Sequence, residues 1–121
     1  VYLADTMGEM GLWYALSPLV FVAGSFVPVG GHNPFEPAHA GAVVLHGPLY
    51  ANFAEAYADF KQAGGQFEVS DAAELAQALS LLLQDEDSRR VQSQAACSFA
   101  QSQMQGLDQM IADLSALLKP V

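Results

Sequence analysis

Short apolar runs alternate along this chain with stretches in which apolar residues recur every three to four positions. Runs of four or five apolar residues are typical of strands buried in a parallel sheet, whereas the wider spacing is typical of amphipathic helices. The runs predict strands at residues 1–4, 19–23, 43–47 and 66–69. The spacing predicts helices at residues 8–16, 33–40, 52–63 and 71–83, and a last one from about residue 88 to residue 118, bent near Gly106.

Strand–helix alternation of this kind predicts an α/β domain, with a Rossmann-like parallel sheet flanked by helices. A length of 121 residues is enough for one domain with its own core. We therefore predict one domain over residues 1–121, in which residues 86–121 form a C-terminal helical segment. The chain starts at Val1 inside an apolar run, which favours a piece of a longer protein.

The predicted helix starts carry the residues that favour capping. Asn33 is suited to the N-cap position, with Pro34 as the first helical residue and Glu36 two positions later, an arrangement similar to a capping box. Asp5 or Thr6 is expected to cap the first helix. Gly64 is expected to end the helix at residues 52–63, and the acidic cluster at residues 85–88 should mark a break and a new helix start.

Three predicted loops follow predicted strands: residues 5–9, 24–36 and 47–52. Ligands bind at the carboxyl ends of the strands in such sheets, so these loops should lie at one edge and form a ligand site. The segment 30–38 is the most distinctive, because it joins two glycines, a helix start and a carboxylate. Such a loop can hold an anion against backbone N–H groups, although a plain strand-to-helix turn remains open.

The charge distribution excludes some partners. The chain has 13 acidic and 4 basic residues, for a net charge of −9, and residues 1–60 contain no Lys or Arg. Nucleic-acid binding and a polybasic membrane patch are therefore not expected. The single Cys97 is expected in the core, and His39 and His46 are expected to be structural. His32 is either a loop residue or a ligand contact, and we expect no metal site shared by the histidines.

Two segments resemble a known family. The segment from Asp5 to Tyr14 contains Asp-Thr-Met-Gly-Glu, and the segment from Gly24 to Ala38 contains Gly-Gly-His-Asn-Pro-Phe-Glu-Pro-Ala. Together they resemble the C-terminal, donor-binding half of the 3-deoxy-D-manno-octulosonic acid (Kdo) transferases. The likeness is strong from Val1 to about Glu55 and generic beyond it.

The resemblance implies a GT-B glycosyltransferase with two Rossmann-like domains. Such an enzyme moves Kdo from CMP-Kdo to a lipid A precursor in lipopolysaccharide biosynthesis, at the cytoplasmic face of the Gram-negative inner membrane, without metal or cofactor. It further implies that this chain holds the CMP part of the donor through Met7, Gly8, Glu9, Gly31, His32, Asn33, Pro34, Phe35 and Glu36.

In the same family the catalytic base, the membrane contact and the acceptor surface belong to an N-terminal domain. We therefore expect no catalytic residue in this chain, and no activity of the chain alone. If the last helix crosses to that other domain, residues 107–121 should be poorly packed here. Two alternatives remain open: the donor domain of a GT-B enzyme that uses a UDP-sugar, and a non-catalytic α/β interaction module.

Overall fold

A three-stranded parallel sheet lies at the centre of the chain, as seen in a computed structural model that describes residues 1–118. The strands lie in the order β1-β2-β3, with Leu19 opposite Val43 and Leu45 opposite Phe67. The strands are β1 (Leu19–Val22), β2 (Val43–His46) and β3 (Gln66–Glu68). The helices are α1 (Met10–Leu16), α2 (Phe35–His39), α3 (Ala54–Ala63, after a 3-10 turn at Ala51–Phe53), α4 (Ala72–Gln84) and α5 (Glu86–Leu117).

Helices cover both faces of the sheet, and the central strand β2 is fully buried. On one face Leu82 of α4 packs against Val43 and Leu45. On the other face α2, α3 and α5 pack against Val22 and Val44, through the buried residues Ala38, Tyr57, Phe60, Ala96 and Ala100. A strand buried on both faces is mostly apolar, which explains the run Val43–Leu45 that predicted β2; the buried His46 at its end is hydrogen-bonded to the carbonyl of Gly47. The predicted α/β class with a parallel sheet and flanking helices is confirmed.

The predicted first strand was wrong. Residues 1–6 form neither strand nor helix, and Val1, Tyr2 and Leu3 are exposed. The ring of Tyr2 lies 5.0 Å from that of Trp13 on α1. A strand needs hydrogen bonds to a neighbour as well as apolar side chains, and residues 1–6 pair with none of the three strands. The apolar run alone therefore did not suffice.

The predicted start of α2 needs a correction of one residue. Pro34, not Asn33, is the N-cap, and the Oδ1 atom of Asn33 accepts from the N–H of Phe35 at 2.9 Å. This contact spans two residues and makes an Asx turn ahead of the helix. In α1, Glu9 occupies the N-cap position instead of Asp5 or Thr6, and its side chain makes no capping hydrogen bond.

The last helix behaves differently in its two halves. It starts within the acidic cluster at residues 85–88, as predicted, and Asp85 caps it, with its Oδ1 atom accepting from the N–H of Ser88 at 2.9 Å. The first half packs through Ala96 and Ala100, whereas residues 101–118 are all exposed. The helix continues through Gly106 without a break. Residues 107–118 are thus poorly packed, which is the outcome expected if the last helix crosses to another domain, and residues 119–121 lie outside the described part.

Among residues 1–118, no helix combines the length and the hydrophobicity that crossing a bilayer requires.

The start of α4 gives a pH-dependent prediction. The carboxylate of Glu74 accepts from the Oγ atom of Ser70 at 2.6 Å and from its N–H at 2.8 Å, and these bonds lower the pKa of Glu74. A carboxyl group whose pKa falls on folding contributes stability above its unfolded pKa and loses it as the pH drops. The Glu74→Gln variant should therefore unfold at a lower temperature than wild type at about pH 7, and the difference should vanish by about pH 3.

Thermal unfolding of both proteins across this range checks the prediction. Glu86→Gln serves as the control, because Glu86 also lies in the first turn of a helix but accepts no such pair of hydrogen bonds among the described residues. Its effect at about pH 7 should be smaller. A Glu74→Gln deficit that persists unchanged into acid would contradict this account.

Candidate functional site

The loop that joins β1 to α2 is fastened to the loop after β2 by one buried hydroxyl group. The Oγ atom of Ser25 donates to the carbonyl of Val22 at 2.7 Å and accepts from the N–H of Gly47 at 2.8 Å. The carbonyl of Ser25 accepts from the N–H of Leu49 at 3.0 Å. Ser25 therefore holds together two loops that follow neighbouring strands. Its role is structural, and the sequence did not predict it.

Glycines allow this loop to fold back on itself. Gly24, Gly30 and Gly31 have φ angles of 74°, 93° and 78°, in the left-handed region that side chains disfavour. The N–H of Gly31 donates to the carbonyl of Gly24 at 3.1 Å and closes the loop. The N–H of Asn52 donates to the carbonyl of Gly30 at 3.0 Å, which ties the loop to the start of α3.

A cleft of about 630 Å³ opens between α1 and the start of α2, at the carboxyl end of β1. We call it the α1–α2 cleft. It brings together three of the residues predicted to bind nucleotide, namely His32, Asn33 and Glu36. Two further polar or flexible side chains, Met10 and Tyr14, face them from α1. The strand β1 and Ala23 form the apolar remainder, through Val20, Phe21 and Val22.

The other predicted residues do not line this cleft. Met7 and Gly8 are exposed, and Glu9 is half-buried at the start of α1. Gly31 and Pro34 are buried.

The side chain of Phe35 belongs to the core. Its ring lies 5.0 Å from that of Phe60 and 6.1 Å from that of Phe99. Its N–H, which the sequence suggested was free for an anion, is already bonded to Asn33. Phe35 therefore supports the site by fixing α2, and the anion-binding contribution of this helix start is smaller than expected.

The loop at residues 47–52 lies at the same sheet edge but borders a second groove of about 540 Å³, on the far side of Gly30. This groove is lined mainly by apolar residues, including Pro28, Val29, Pro48 and Leu49. The expectation that all three loops line one site was therefore wrong, because of the three only the loop at residues 24–36 lines the α1–α2 cleft and residues 5–9 line neither cavity. The loop at residues 24–36 separates the two cavities.

Tyr14 and Glu36 interact electrostatically in the α1–α2 cleft. Burial, and then the negative charge of Glu36, raise the pKa of Tyr14. The phenol therefore stays protonated at neutral pH and can donate a hydrogen bond. Within residues 1–118, no Lys or Arg lines this cleft, and His32 is the one histidine that does. A negatively charged group of a ligand in this cleft must therefore be held mainly by hydrogen-bond donors.

Met10 and Tyr14 were not predicted as site residues. They stand four positions apart and so share one face of α1, but this spacing also fits ordinary packing, and the sequence analysis did not separate the two roles. Only the position of α1 relative to α2 brings them into the cleft.

Known proteins resemble this chain in sequence and in structure. The 3-deoxy-D-manno-octulosonic acid transferase of Haemophilus influenzae is 40% identical over 90 residues, which are 74% of this chain and 21% of that protein. The enzyme of the same name from Bordetella pertussis is 38% identical over 96 residues, or 79% of this chain and 22% of that protein.

A solved structure agrees with these relatives. The crystal structure of the C-terminal CMP-Kdo binding domain of WaaA from Acinetobacter baumannii matches with a TM-score of 0.80 and 35% identity, over 84% of this chain and 53% of that chain. The resemblance to the Kdo transferases is confirmed. No family model matches the chain. The chain spans about a fifth of the length of the curated relatives, which are glycosyltransferases.

Proposed function

We propose that this chain binds the CMP part of CMP-Kdo and is the donor-binding half of a Kdo transferase. The observation that carries the proposal is the likeness, at 35% identity and a TM-score of 0.80, to a domain described as binding CMP-Kdo. The α1–α2 cleft supports it, because the cleft lies at the carboxyl end of a parallel strand, where nucleotides bind in this class of fold.

Each polar group of the cleft has a proposed role. The carboxylate of Glu36 accepts hydrogen bonds from the two ribose hydroxyls. His32 and the side chain of Asn33 face the phosphate, and Gly31 allows close approach of the backbone. Met7, Gly8 and Glu9 lie just before α1 and border the same nucleotide from the other side, while Pro34 and Phe35 fix the start of α2.

In the proposed reaction, the bond between the Kdo anomeric carbon and the phosphate oxygen of CMP breaks as the acceptor hydroxyl forms a new bond to that carbon. The phosphate gains negative charge as it leaves, and donors fixed in the cleft lower the cost of that charge. The base that removes the hydroxyl proton does not lie in this chain under this proposal. We accordingly propose that the chain alone binds donor without turnover.

The remaining parts of the proposal concern the full-length protein. We propose that the acceptor is a lipid A precursor, and that an N-terminal domain supplies the acceptor surface and the contact with the cytoplasmic face of the inner membrane. The exposed second half of α5 is compatible with a helix that packs against such a domain.

Replacing Glu36 tests the nucleotide site. Titration of the chain with CMP, followed by amide chemical shifts, should give saturable binding with changes at residues 7–9 and 31–36. The Glu36→Gln variant should bind CMP about ten- to a hundredfold more weakly, because it loses charge-assisted hydrogen bonds to the ribose. Glu55→Gln is the matched control, since Glu55 is exposed in the first turn of α3 and does not line the cleft.

The same titration distinguishes the alternatives. Tighter binding of UMP than of CMP would favour a transferase that uses a UDP-sugar. The absence of binding by either nucleotide, or equal CMP affinity of wild type and Glu36→Gln, would contradict the proposed site and favour an interaction module.

A further inference from the structure

A buried tyrosine of α3 makes a hydrogen bond to the loop at residues 24–34, which carries two of the polar residues of the α1–α2 cleft. Tyr57 of α3 is 1% exposed, and its hydroxyl group donates to the carbonyl of His32 at 3.0 Å. The two residues are 25 positions apart. Among the hydrogen bonds of residues 1–118, this is the one that an α3 side chain makes to the loop at residues 24–34.

The ring of Tyr57 is fixed by two aromatic neighbours. Its centroid lies 4.1 Å from that of His46 and 4.7 Å from that of Tyr50. His46 is itself immobilised, because its Nδ1 atom donates to the carbonyl of Gly47 at 2.7 Å and its Nε2 atom contacts the side chain of Gln66. The hydroxyl group of Tyr57 therefore points at the loop from a rigid base formed by β2 and β3.

This hydroxyl group remains a hydrogen-bond donor over a wide pH range. Burial first, and then the neighbouring Tyr14 and Tyr50, raise the pKa of Tyr57 well above its ordinary value. Among the hydrogen bonds of residues 1–118, the hydroxyl group of Tyr57 is the one donor to the carbonyl of His32.

His32 is consequently held at two points. Its carbonyl faces Tyr57, while its ring lies over Gly24, where an added Cβ atom would come within 2.9 Å of the ring. The next residues along the chain, 33–36, include Asn33 and Glu36, which line the cleft. The direction of the backbone at His32 therefore decides whether the side chains of Asn33 and Glu36 reach the cleft.

We propose that Tyr57 is a positioning residue of the α1–α2 cleft, whose hydroxyl group sets the backbone at His32 so that Asn33 and Glu36 face the nucleotide. This inference rests on the proposed function for the identity of the ligand. Tyr57 itself does not line the cleft, so it acts through the loop rather than by touching the donor.

The test compares Tyr57→Phe with Tyr50→Phe in the 121-residue chain. Both substitutions keep the ring and remove one hydroxyl group, but the hydroxyl of Tyr50 donates to Glu68 at 3.1 Å, away from the loop. Tyr57→Phe should weaken CMP binding about three- to tenfold and shift the amide signals of Gly31, His32 and Asn33 even without nucleotide. Tyr50→Phe should do neither.

Cooperative thermal unfolding of both variants establishes that they are folded. Wild-type CMP affinity and unchanged amide signals at residues 31–33 in Tyr57→Phe would overturn the inference and leave the proposed function standing. A wild-type chain that binds no CMP would overturn the proposed function instead. In that case the amide shifts decide alone: shifts at residues 31–33 in Tyr57→Phe only support positioning of the loop, and their absence overturns it.

Discussion

The Gly31→Ala variant should lose about 2–4 kcal/mol of its free energy of unfolding, together with its nucleotide binding. Two costs combine at this position. The φ angle of 78° is in the left-handed region, which is unfavourable for alanine by about 1–2 kcal/mol. An added Cβ atom would also lie 2.9 Å from the Cα atom of Tyr50 and 3.0 Å from its Cβ atom.

The second cost is difficult to relieve because the obstacle is backbone. The loop around Gly31 is tied to its surroundings by the bond from Gly31 to Gly24 and by the bond from Asn52 to Gly30. A retreat of Gly31 would disturb its bond to Gly24, and a retreat of Tyr50 would disturb the bond that its carbonyl accepts from the N–H of Phe53 at 2.9 Å. A displaced Gly31 would also move His32 and Asn33, so binding of CMP should fall with stability.

Gly64→Ala provides the control for the backbone angle alone. Gly64 ends α3 with a φ angle of 75°, nearly that of Gly31, but nothing lies within 4 Å of its added Cβ atom. Urea unfolding should give a loss of about 1 kcal/mol for Gly64→Ala and a clearly larger one for Gly31→Ala. Equal losses would mean that the contact with Tyr50 contributes nothing.

The sequence correctly predicted those strands and helix ends that are determined by residues close together along the chain. The apolar run at residues 43–47 identified β2, since a central parallel strand is apolar on both faces. The break and new helix start predicted at residues 85–88 are confirmed, because the carboxylate of Asp85 reaches the N–H of Ser88 within one turn. Gly64 correctly marked the end of α3.

The failures have a different physical origin. Val1–Ala4 has the composition of a strand, but a strand forms only where a neighbour offers hydrogen bonds, and this neighbour is not encoded locally. Phe35 belongs to a distinctive motif, yet its ring serves the core because Phe60 and Phe99 meet it from distant helices.

The sequence motif identified three residues that share the α1–α2 cleft, but it did not identify the residues that pack around them. Glu36, Asn33 and His32 were identified from a short motif and do share one cleft. Tyr14 reaches that cleft by the docking of α1, and Tyr57 reaches His32 across 25 residues. Contacts between residues so far apart depend on the packed structure, so one sequence without its relatives carries no pattern that reveals them.

The packing of α5 against the rest of the domain depends on a close contact between its backbone and Gly65. Ser93 donates its hydroxyl hydrogen to the carbonyl of Gly41 at 2.6 Å, and Phe99 stacks edge-on against Phe60 with centroids 4.7 Å apart. Between these contacts, Ala96 lies directly over Gly65, which is buried. Helix and sheet can approach this closely only because Gly65 and Ala96 are both small.

The Gly65→Ala variant should therefore lose about 2–3 kcal/mol of its free energy of unfolding. An added Cβ atom would come within 2.6 Å of the Cα atom of Ala96 and 2.7 Å of its nitrogen, so the backbone of α5 would have to move outward. That movement would expose Cys97, whose thiol is half-buried near the carbonyl of His39. Urea unfolding and the rate of thiol alkylation measure the two effects, and both should change.

Gly106→Ala is the matched control within the same helix. Nothing lies within 4 Å of a Cβ atom added at Gly106, and alanine favours a helix interior over glycine by about 1 kcal/mol. Its stability should stay the same or rise, with no change in the reactivity of Cys97. If Gly65→Ala proved as stable as Gly106→Ala, with its thiol equally protected, then α5 would be held by Phe99 and Ser93 and not by the contact between Ala96 and Gly65.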